Sequence, residues 1–175
     1  MGGPSSWTHP PPTIEYHKKL RLSIVQNQIP NKKIYLENKH HRIGADTMLN
    51  VYSLKKDGNT RLSSNFRVKE FACQDGSDPI FIDSELVDVL QKIRTHFKKP
   101  VTITSAYRTP THNKKVGGTT YSQHLYGKAA DIKVQGIAPK DVVEYAETLL
   151  DAGGIGIYNT FTHIDVRGIK SRWQG

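Results

Sequence analysis

The chain is poor in cysteine, in tryptophan and in long apolar runs. Its 175 residues include one cysteine, Cys73, and two tryptophans. A single thiol cannot form an internal disulfide, so the fold does not depend on an oxidising compartment. Cys73 follows an apolar pair in EFACQDG, a setting that favours a small core residue over a nucleophile. No segment approaches the roughly 18 consecutive apolar residues that a membrane span needs, so we expect no membrane insertion.

Acidic residues are scarce relative to basic ones. The chain has 25 Lys or Arg against 16 Asp or Glu, a formal net charge of +9. A basic surface favours anionic partners such as nucleic acid, anionic lipid or an acidic cell-wall polymer, although it can also be merely solvated. Because the sequence holds no nucleic-acid-binding motif, nucleic acid is the least favoured of these partners.

The first 47 residues differ in character from the rest. They contain PPP, scattered polar residues and no sustained periodicity, which predicts a basic, disordered extension over residues 1–47. The pattern becomes globular at Met48, so residues 48–175 are predicted to form the folded domain and Met48 is a candidate natural start. The alternative is a basic arm that holds the protein on an anionic polymer. The N-terminus also lacks the basic start and apolar middle of a secretory signal, so we expect synthesis in the cytoplasm.

Periodicity within residues 48–175 predicts an α+β domain with a small, mainly antiparallel sheet and flanking helices. Helices are predicted over FRVKEFAC with Asn65 as N-cap, over SELVDVLQKIRTHFKK with Asp83 or Ser84 as N-cap, and over PKDVVEYAETLLDAG. Strands are predicted at VTIT and ADIKV, and a hairpin of GIGIY and FTHIDV is expected to turn around Asn159 and Thr160. The segment between VTIT and ADIKV is predicted to be mainly a loop.

Two histidines stand apart from the other six. His124 lies in SQHLYGKAAD, where Gly127 permits a sharp turn and small alanines precede Asp131. An unpaired carboxylate in so apolar a setting would be costly, and binding a cation would offset that cost. His163 lies in FTHIDV, where strand alternation places it on the same face as Asp165.

Two histidines and one carboxylate form the ligand set of a catalytic zinc site with an open fourth position. Water in that position would have a lowered pKa and act as a nucleophile near neutral pH, with a nearby carboxylate taking its proton. Asp165 is the best local candidate for that base. The residues alone leave a second interpretation open, in which the histidines and aspartates simply satisfy one another.

Three motifs, which follow one another along the chain in the order typical of the family, carry a family resemblance. SQHLYGKAADI matches S-x-H-x-x-G-x-A-x-D, the motif of the zinc D-Ala-D-Ala carboxypeptidases and L-alanyl-D-glutamate endopeptidases of the Hedgehog/DD-peptidase fold. TSAYRTPTHNKKVGG resembles the substrate loop of those enzymes, and GGIGIYNTFTHIDVRG with the closing SRW resembles the C-terminal part of a branch common in phage lytic enzymes. The resemblance runs from about Ser63 to Trp173.

The resemblance implies roles for individual residues. It makes His124, Asp131 and His163 the zinc ligands, Arg108 the group that faces the substrate carbonyl and stabilises the oxyanion, and Ser122 a substrate-binding residue.

One departure from the family pattern concerns the base. Thr160 and Phe161 stand where many relatives have an acidic residue and a histidine. Asp165 is therefore the predicted general base. Two alternatives stay open, namely that Asp165 and His163 exchange roles, or that Asp165 pairs with Arg167 or holds a ligand histidine.

The function that follows is a zinc-dependent peptidase that hydrolyses peptidoglycan stem peptides, as a D-Ala-D-Ala carboxypeptidase or a stem-peptide endopeptidase. We expect a monomer that reaches the cell wall after release from the cytoplasm, in a phage or prophage context. A different class of function is a non-catalytic cell-wall-binding module that retains a structural zinc. Loss of the metal with unchanged binding and lysis would identify that second class.

Overall fold

The structure is a computed structural model and describes residues 48–175. The predicted extension over residues 1–47 lies outside the described residues. Met48, the proposed boundary, is the first residue that the structure describes. Within this range the chain forms seven strands: β1 (Leu49–Tyr52), β2 (Ile80–Asp83), β3 (Val101–Ser105), β4 (Ala129–Val134), β5 (Gly154–Ile157), β6 (Thr162–Asp165) and β7 (Ser171–Gln174). The α-helices in this range are α1 (Leu54–Asp57), α2 (Ser84–Phe97), α3 (Pro110–Lys115) and α4 (Pro139–Leu149). Two 3-10 helices span Val68–Phe71 and Gln123–Tyr126.

The strands form two separate sheets. β1 and β2 pair as an antiparallel ribbon, and the other five strands form a sheet in the order β3-β4-β6-β5-β7. Every pairing in the larger sheet is antiparallel except that of β5 with β7, which is parallel. The predicted α+β class and the mainly antiparallel sheet are therefore confirmed. Within the described residues, no helix is long and apolar enough to cross a membrane.

The hydrophobic core lies between the larger sheet and the helices α2 and α4. Helix α2 buries Leu86, Leu90 and Ile93, helix α4 buries Val142 and Ala146, and both helices contact the sheet. Fully buried side chains of the core include Leu86, Leu90, Ile93, Ile132, Val142, Ala146, Ile155 and Ile164. Cys73 is 3% exposed, as expected of a core residue.

A side-chain cap marks the start of helix α2, and a left-handed residue marks its end. The Asp83 carboxylate accepts a hydrogen bond from the backbone N–H of Glu85 and so caps the first turn. The helix ends at Phe97, two residues earlier than expected, because Lys98 adopts the left-handed conformation with φ of 54°.

The helix predicted over FRVKEFAC is wrong in length and in its cap. Only Val68–Phe71 are helical, in a single 3-10 segment preceded by Arg67. Asn65 does not cap it, because its backbone N–H and its side chain are hydrogen-bonded to Gln91 on α2. A contact distant in sequence thus replaces the predicted local one.

The predicted hairpin and strands are confirmed. VTIT and ADIKV correspond to β3 and β4, and GIGIY with FTHIDV correspond to β5 and β6, which pair antiparallel. The segment between β3 and β4, predicted to be mainly a loop, contains the short helix α3, which is capped by the Thr109 hydroxyl, and the 3-10 helix Gln123–Tyr126.

Candidate metal centre

His124 is held in a fixed orientation by a tight turn. It lies in the 3-10 helix Gln123–Tyr126, which ends at Gly127 in the left-handed conformation with φ of 68°. A Cβ atom on Gly127 would lie 2.3 Å from the Phe81 carbonyl oxygen, so both the conformation and the close approach require glycine. The His124 Nδ1 lies 2.6 Å from the Ala106 carbonyl oxygen, which fixes the proton on Nδ1 and leaves Nε2 as a potential ligand atom.

Strand register brings Asp131 and His163 together. The two residues are paired across β4 and β6, and the Asp131 Oδ1 lies 2.8 Å from the His163 Nδ1 and 3.4 Å from the His124 Nε2. One ligand atom from each of the three residues lies within 4.8 Å of the others, and all three residues are buried. The three predicted metal ligands, distant in sequence, therefore form one cluster.

The second nitrogen of His163 faces a different carboxylate. Its Nε2 lies 3.1 Å from the Asp165 Oδ2, on the side of the ring away from Asp131. In this arrangement Nδ1 is the atom available to a metal, and Asp165 accepts the proton of Nε2–H. A carboxylate behind a histidine ligand is a frequent feature of zinc sites, where it fixes the tautomer and raises ligand basicity.

The charges of the cluster are strongly perturbed. Burial lowers the pKa of His124, which keeps this imidazole neutral. Burial also acts to lower the pKa of His163, but hydrogen bonds to Asp131 and Asp165 outweigh it and the pKa lies above its ordinary value. Burial would raise the pKa of Asp131, yet hydrogen bonds to His124 and His163 prevail and the pKa lies below its usual range. Asp131 is therefore ionised at neutral pH, as a metal ligand must be.

Asp165 occupies a pocket made by small residues. Its register partners are Ala129 on β4 and Gly154 on β5, and a Cβ atom on Gly154 would lie 2.1 Å from the Asp165 Oδ2. The carboxylate is 0% exposed and accepts hydrogen bonds from the Gly154 N–H and from the backbone and guanidinium of Arg167. Burial acts to raise the pKa of Asp165, but the bonds to His163 and Arg167 outweigh it, and the pKa lies below its usual range.

Arg108 also contacts the cluster, while Ser122 lies at its edge. The Arg108 Nη2 donates to the Asp131 Oδ2 over 2.7 Å, and its Nε donates to the Ser105 hydroxyl over 2.8 Å. The Arg108 side chain is 15% exposed, which leaves it accessible from solvent. Ser122 is half-buried, precedes the 3-10 helix that carries His124, and makes no side-chain capping bond to it.

The donor set fits zinc. Imidazole nitrogen and carboxylate oxygen are ligands that zinc accepts, and three such ligands are typical of catalytic sites. Each histidine has its remaining nitrogen held by an acceptor, the Ala106 carbonyl oxygen in one case and Asp165 in the other. The Arg108 guanidinium occupies the second oxygen of Asp131, which favours a single-oxygen ligand.

Several contacts to the cluster were not predicted from the sequence. The Ser105 hydroxyl accepts a hydrogen bond from Arg108, and the Ala106 carbonyl oxygen faces His124. Both groups lie at the end of β3, and the pairing of β3 with its neighbour cannot be deduced from the sequence of β3 alone. Trp173, on β7, contacts the His163 ring with centroids 5.0 Å apart. One sequence feature could have indicated the Trp173 contact: the glycines of GIGIY alternate along β5 and leave one face of that strand without side chains.

Comparison with known proteins agrees with this geometry. No curated protein matches the chain. Residues 64–165 match the family model described as peptidase M15. This match begins before α2, ends at Asp165 and includes all three residues of the cluster. It spans more than half of the sequence, and the chain therefore belongs to the peptidase M15 family, whose members are zinc D-Ala-D-Ala carboxypeptidase-like metallopeptidases.

Proposed function

We propose that this protein is a zinc-dependent peptidase that hydrolyses stem peptides of bacterial peptidoglycan. The observation that carries the proposal is the buried cluster of His124, Asp131 and His163, with one ligand atom from each within 4.8 Å. Among the described residues this cluster supplies three ligands rather than four, which leaves a position open as in catalytic zinc sites. A structural zinc usually has four protein ligands, so the geometry favours an enzyme over a binding module with a structural metal.

The residues in and around the cluster have separate roles in the proposed hydrolysis. The chemistry that zinc supplies when bound is Lewis acidity toward the scissile carbonyl and the attacking water. His124, Asp131 and His163 hold the ion, and the Ala106 carbonyl and Asp165 orient the two imidazoles. Arg108 anchors the second oxygen of Asp131 and has its Nη1 in no hydrogen bond to a described residue, so this group can donate to the developing oxyanion. Ser122, beside His124, is assigned to substrate binding.

We assign Asp165 to positioning His163 rather than to the predicted role of general base. Its carboxylate has no exposed surface, and both oxygens accept hydrogen bonds from His163, Gly154 or Arg167. A general base needs access to the proton that it removes. Asp165 lies beyond the His163 Nε2, away from the metal-facing Nδ1, so the proton of the attacking water must go to another group.

Peptidoglycan is the substrate class that best fits the positive net charge of the protein. Its stem peptides carry carboxylates and many walls carry anionic polymers, which a chain of net charge +9 attracts. The sequence resemblance to phage lytic enzymes supports a role in cell lysis, with release from the cytoplasm through a route made by another protein. A monomer is the proposed working form.

The deciding experiment measures metal content together with lysis of purified cell walls, before and after chelation. We expect about one zinc per chain, loss of lysis on chelation and recovery on addition of zinc. His163→Ala should lose both the metal and lysis, whereas His96→Ala, at an exposed position late on α2, should keep both. Unchanged lysis by a metal-free His163→Ala variant would refute the proposal.

The products identify the bond. Release of terminal D-alanine from muropeptides, detected by mass spectrometry, means carboxypeptidase activity, whereas release of stem fragments or separated cross-links means endopeptidase activity. Wall binding with metal bound but no product of either kind would instead support the non-catalytic module.

A further inference from the structure

A row of residues crosses the larger sheet at the level of the cluster. Register pairs Ser105 on β3 with Asp131 on β4, and Asp131 with His163 on β6. The row continues from His163 to Gly156 on β5 and from Gly156 to Trp173 on β7. Paired residues of neighbouring strands project to the same face of a sheet. The metal cluster and Trp173 therefore share one face, with a glycine between them.

Gly156 leaves the space through which Trp173 reaches His163. A Cβ atom on Gly156 would lie 2.5 Å from the indole Cε2 and 2.6 Å from its Nε1, so the indole lies directly over this residue. The indole and the His163 imidazole contact each other at 5.0 Å between centroids, with 53° between their planes. The indole Nε1 also donates a hydrogen bond to the Tyr158 hydroxyl over 3.0 Å.

A second path joins Trp173 to the same histidine. The Arg167 guanidinium carbon lies 5.5 Å from the centroid of the Trp173 ring. Arg167 donates to both oxygens of Asp165, and Asp165 in turn faces the His163 Nε2. The indole thus contacts the imidazole directly and also packs against the guanidinium that holds the carboxylate behind it.

We propose that Trp173 is a positioning residue for the metal centre, which fixes the His163 ring in the orientation that presents Nδ1 to the metal. Neither Trp173 nor Arg167 falls in the region that matches the family, which ends at residue 165. A histidine ligand that is free to rotate must lose that freedom when the metal binds, and packing that fixes the ring beforehand removes this cost. The inference rests on the proposed zinc site.

The test compares zinc affinity among full-length variants by competition with a chromophoric chelator. Trp173→Leu removes the aromatic contact to His163 and the packing surface of Arg167, and we expect its affinity to fall by about tenfold, the lower end of what the loss of a ligand-orienting partner costs. Trp173→Phe keeps a ring and should recover most of that loss. Tyr158→Phe removes only the hydroxyl that receives the indole N–H and serves as the matched control, with affinity within about threefold of wild type.

A spectroscopic readout separates positioning from general stability. In Co²⁺-loaded protein, a rotated His163 changes the ligand field, so Trp173→Leu should alter the position and intensity of the visible absorption while Tyr158→Phe leaves them unchanged. Trp7→Phe makes Trp173 the sole tryptophan of the chain. In that background Co²⁺ should quench the fluorescence strongly, because the indole contacts a ligand of the metal.

Gly156→Ala is the second variant, in case Trp173→Leu does not fold. It keeps the indole but displaces it from its place over β5, so it should lower zinc affinity in the same direction. Unchanged affinity and an unchanged cobalt spectrum in a folded Trp173→Leu or Gly156→Ala protein would overturn the inference and leave the zinc peptidase intact. A wild-type protein that binds no zinc would instead overturn the proposed function.

Discussion

Replacement of Asp165 by asparagine separates the two roles that this carboxylate can have. Its oxygens accept hydrogen bonds from the Gly154 N–H, the Arg167 backbone and guanidinium, and the His163 Nε2. An asparagine amide has one acceptor oxygen, and in either orientation its NH₂ group meets donors that the carboxylate satisfied. At least two charge-assisted bonds are lost, each worth about 1.5–3 kcal/mol, and breaking a buried ion pair costs about 3–5 kcal/mol. Because the Arg167 side chain is 31% exposed and water can replace part of the loss, we expect a value near the lower end, about 3 kcal/mol.

The same substitution should weaken zinc binding. Loss of a carboxylate that orients a histidine ligand costs about 10–100-fold in metal affinity. The assays are chemical denaturation of metal-free protein, competition for zinc, and hydrolysis measured at saturating zinc. Asp151→Asn, at an exposed position, is the matched control and should change none of the three.

The opposite result would refute this reasoning. If Asp165→Asn kept wild-type stability and zinc affinity but lost most of its turnover at saturating zinc, Asp165 would be the general base. A positioning residue predicts the reverse order of effects, with most of the lost activity restored by excess zinc.

Three further substitutions test the fold that supports the centre, each by urea denaturation. Gly154→Ala should destabilise by about 1–3 kcal/mol, because its Cβ would lie 2.1 Å from an Asp165 oxygen, whereas Gly168→Ala, with no atom within 4 Å, should be neutral within about 0.5 kcal/mol. Burial raises the pKa of Asp83, so the native state holds this proton more tightly than the unfolded chain, and stability is lost as pH rises from about 3.8 through the folded pKa. Asp83→Asn keeps a good N-cap and should therefore gain stability relative to wild type as the pH rises above about 3.8; a pH-independent difference would contradict this. Leu90→Ala should cost about 2–5 kcal/mol because Leu90 is 0% exposed, and a cost below about 1 kcal/mol would contradict its place in the core.

Local patterns predicted the elements that hold the metal-site residues. The alternation of polar and apolar residues in FTHIDV identified β6, and the apolar run in ADIKV identified β4, because both patterns are typical of strands. Proximity of His124, Asp131 and His163 was predicted from residue chemistry and from the family motifs, and the register of β4 with β6 explains it physically.

The features of the fold and of the site that the sequence did not predict depend on contacts between segments that are distant in the chain. β7 has four residues and no periodic pattern, so neither its parallel pairing with β5 nor the contact of Trp173 with His163 can be read locally. Asn65 resembles a helix cap in sequence, but Gln91, 26 residues away, takes its hydrogen bonds. The burial of Asp165 follows from Gly154, whose missing side chain becomes informative only once strand pairing is known.

The turn at Gly127 joins the metal centre to the small sheet. The Asp83 N–H at the end of β2 donates to the Gly127 carbonyl, three residues after His124. Opening of this hydrogen bond requires the turn that carries His124 to separate from β2. Amide hydrogen exchange at Asp83 therefore reports the opening of the site, and zinc should slow that exchange by as much as it stabilises the closed turn. A residue outside the metal cluster would then measure, without any substrate, how firmly the protein holds its metal.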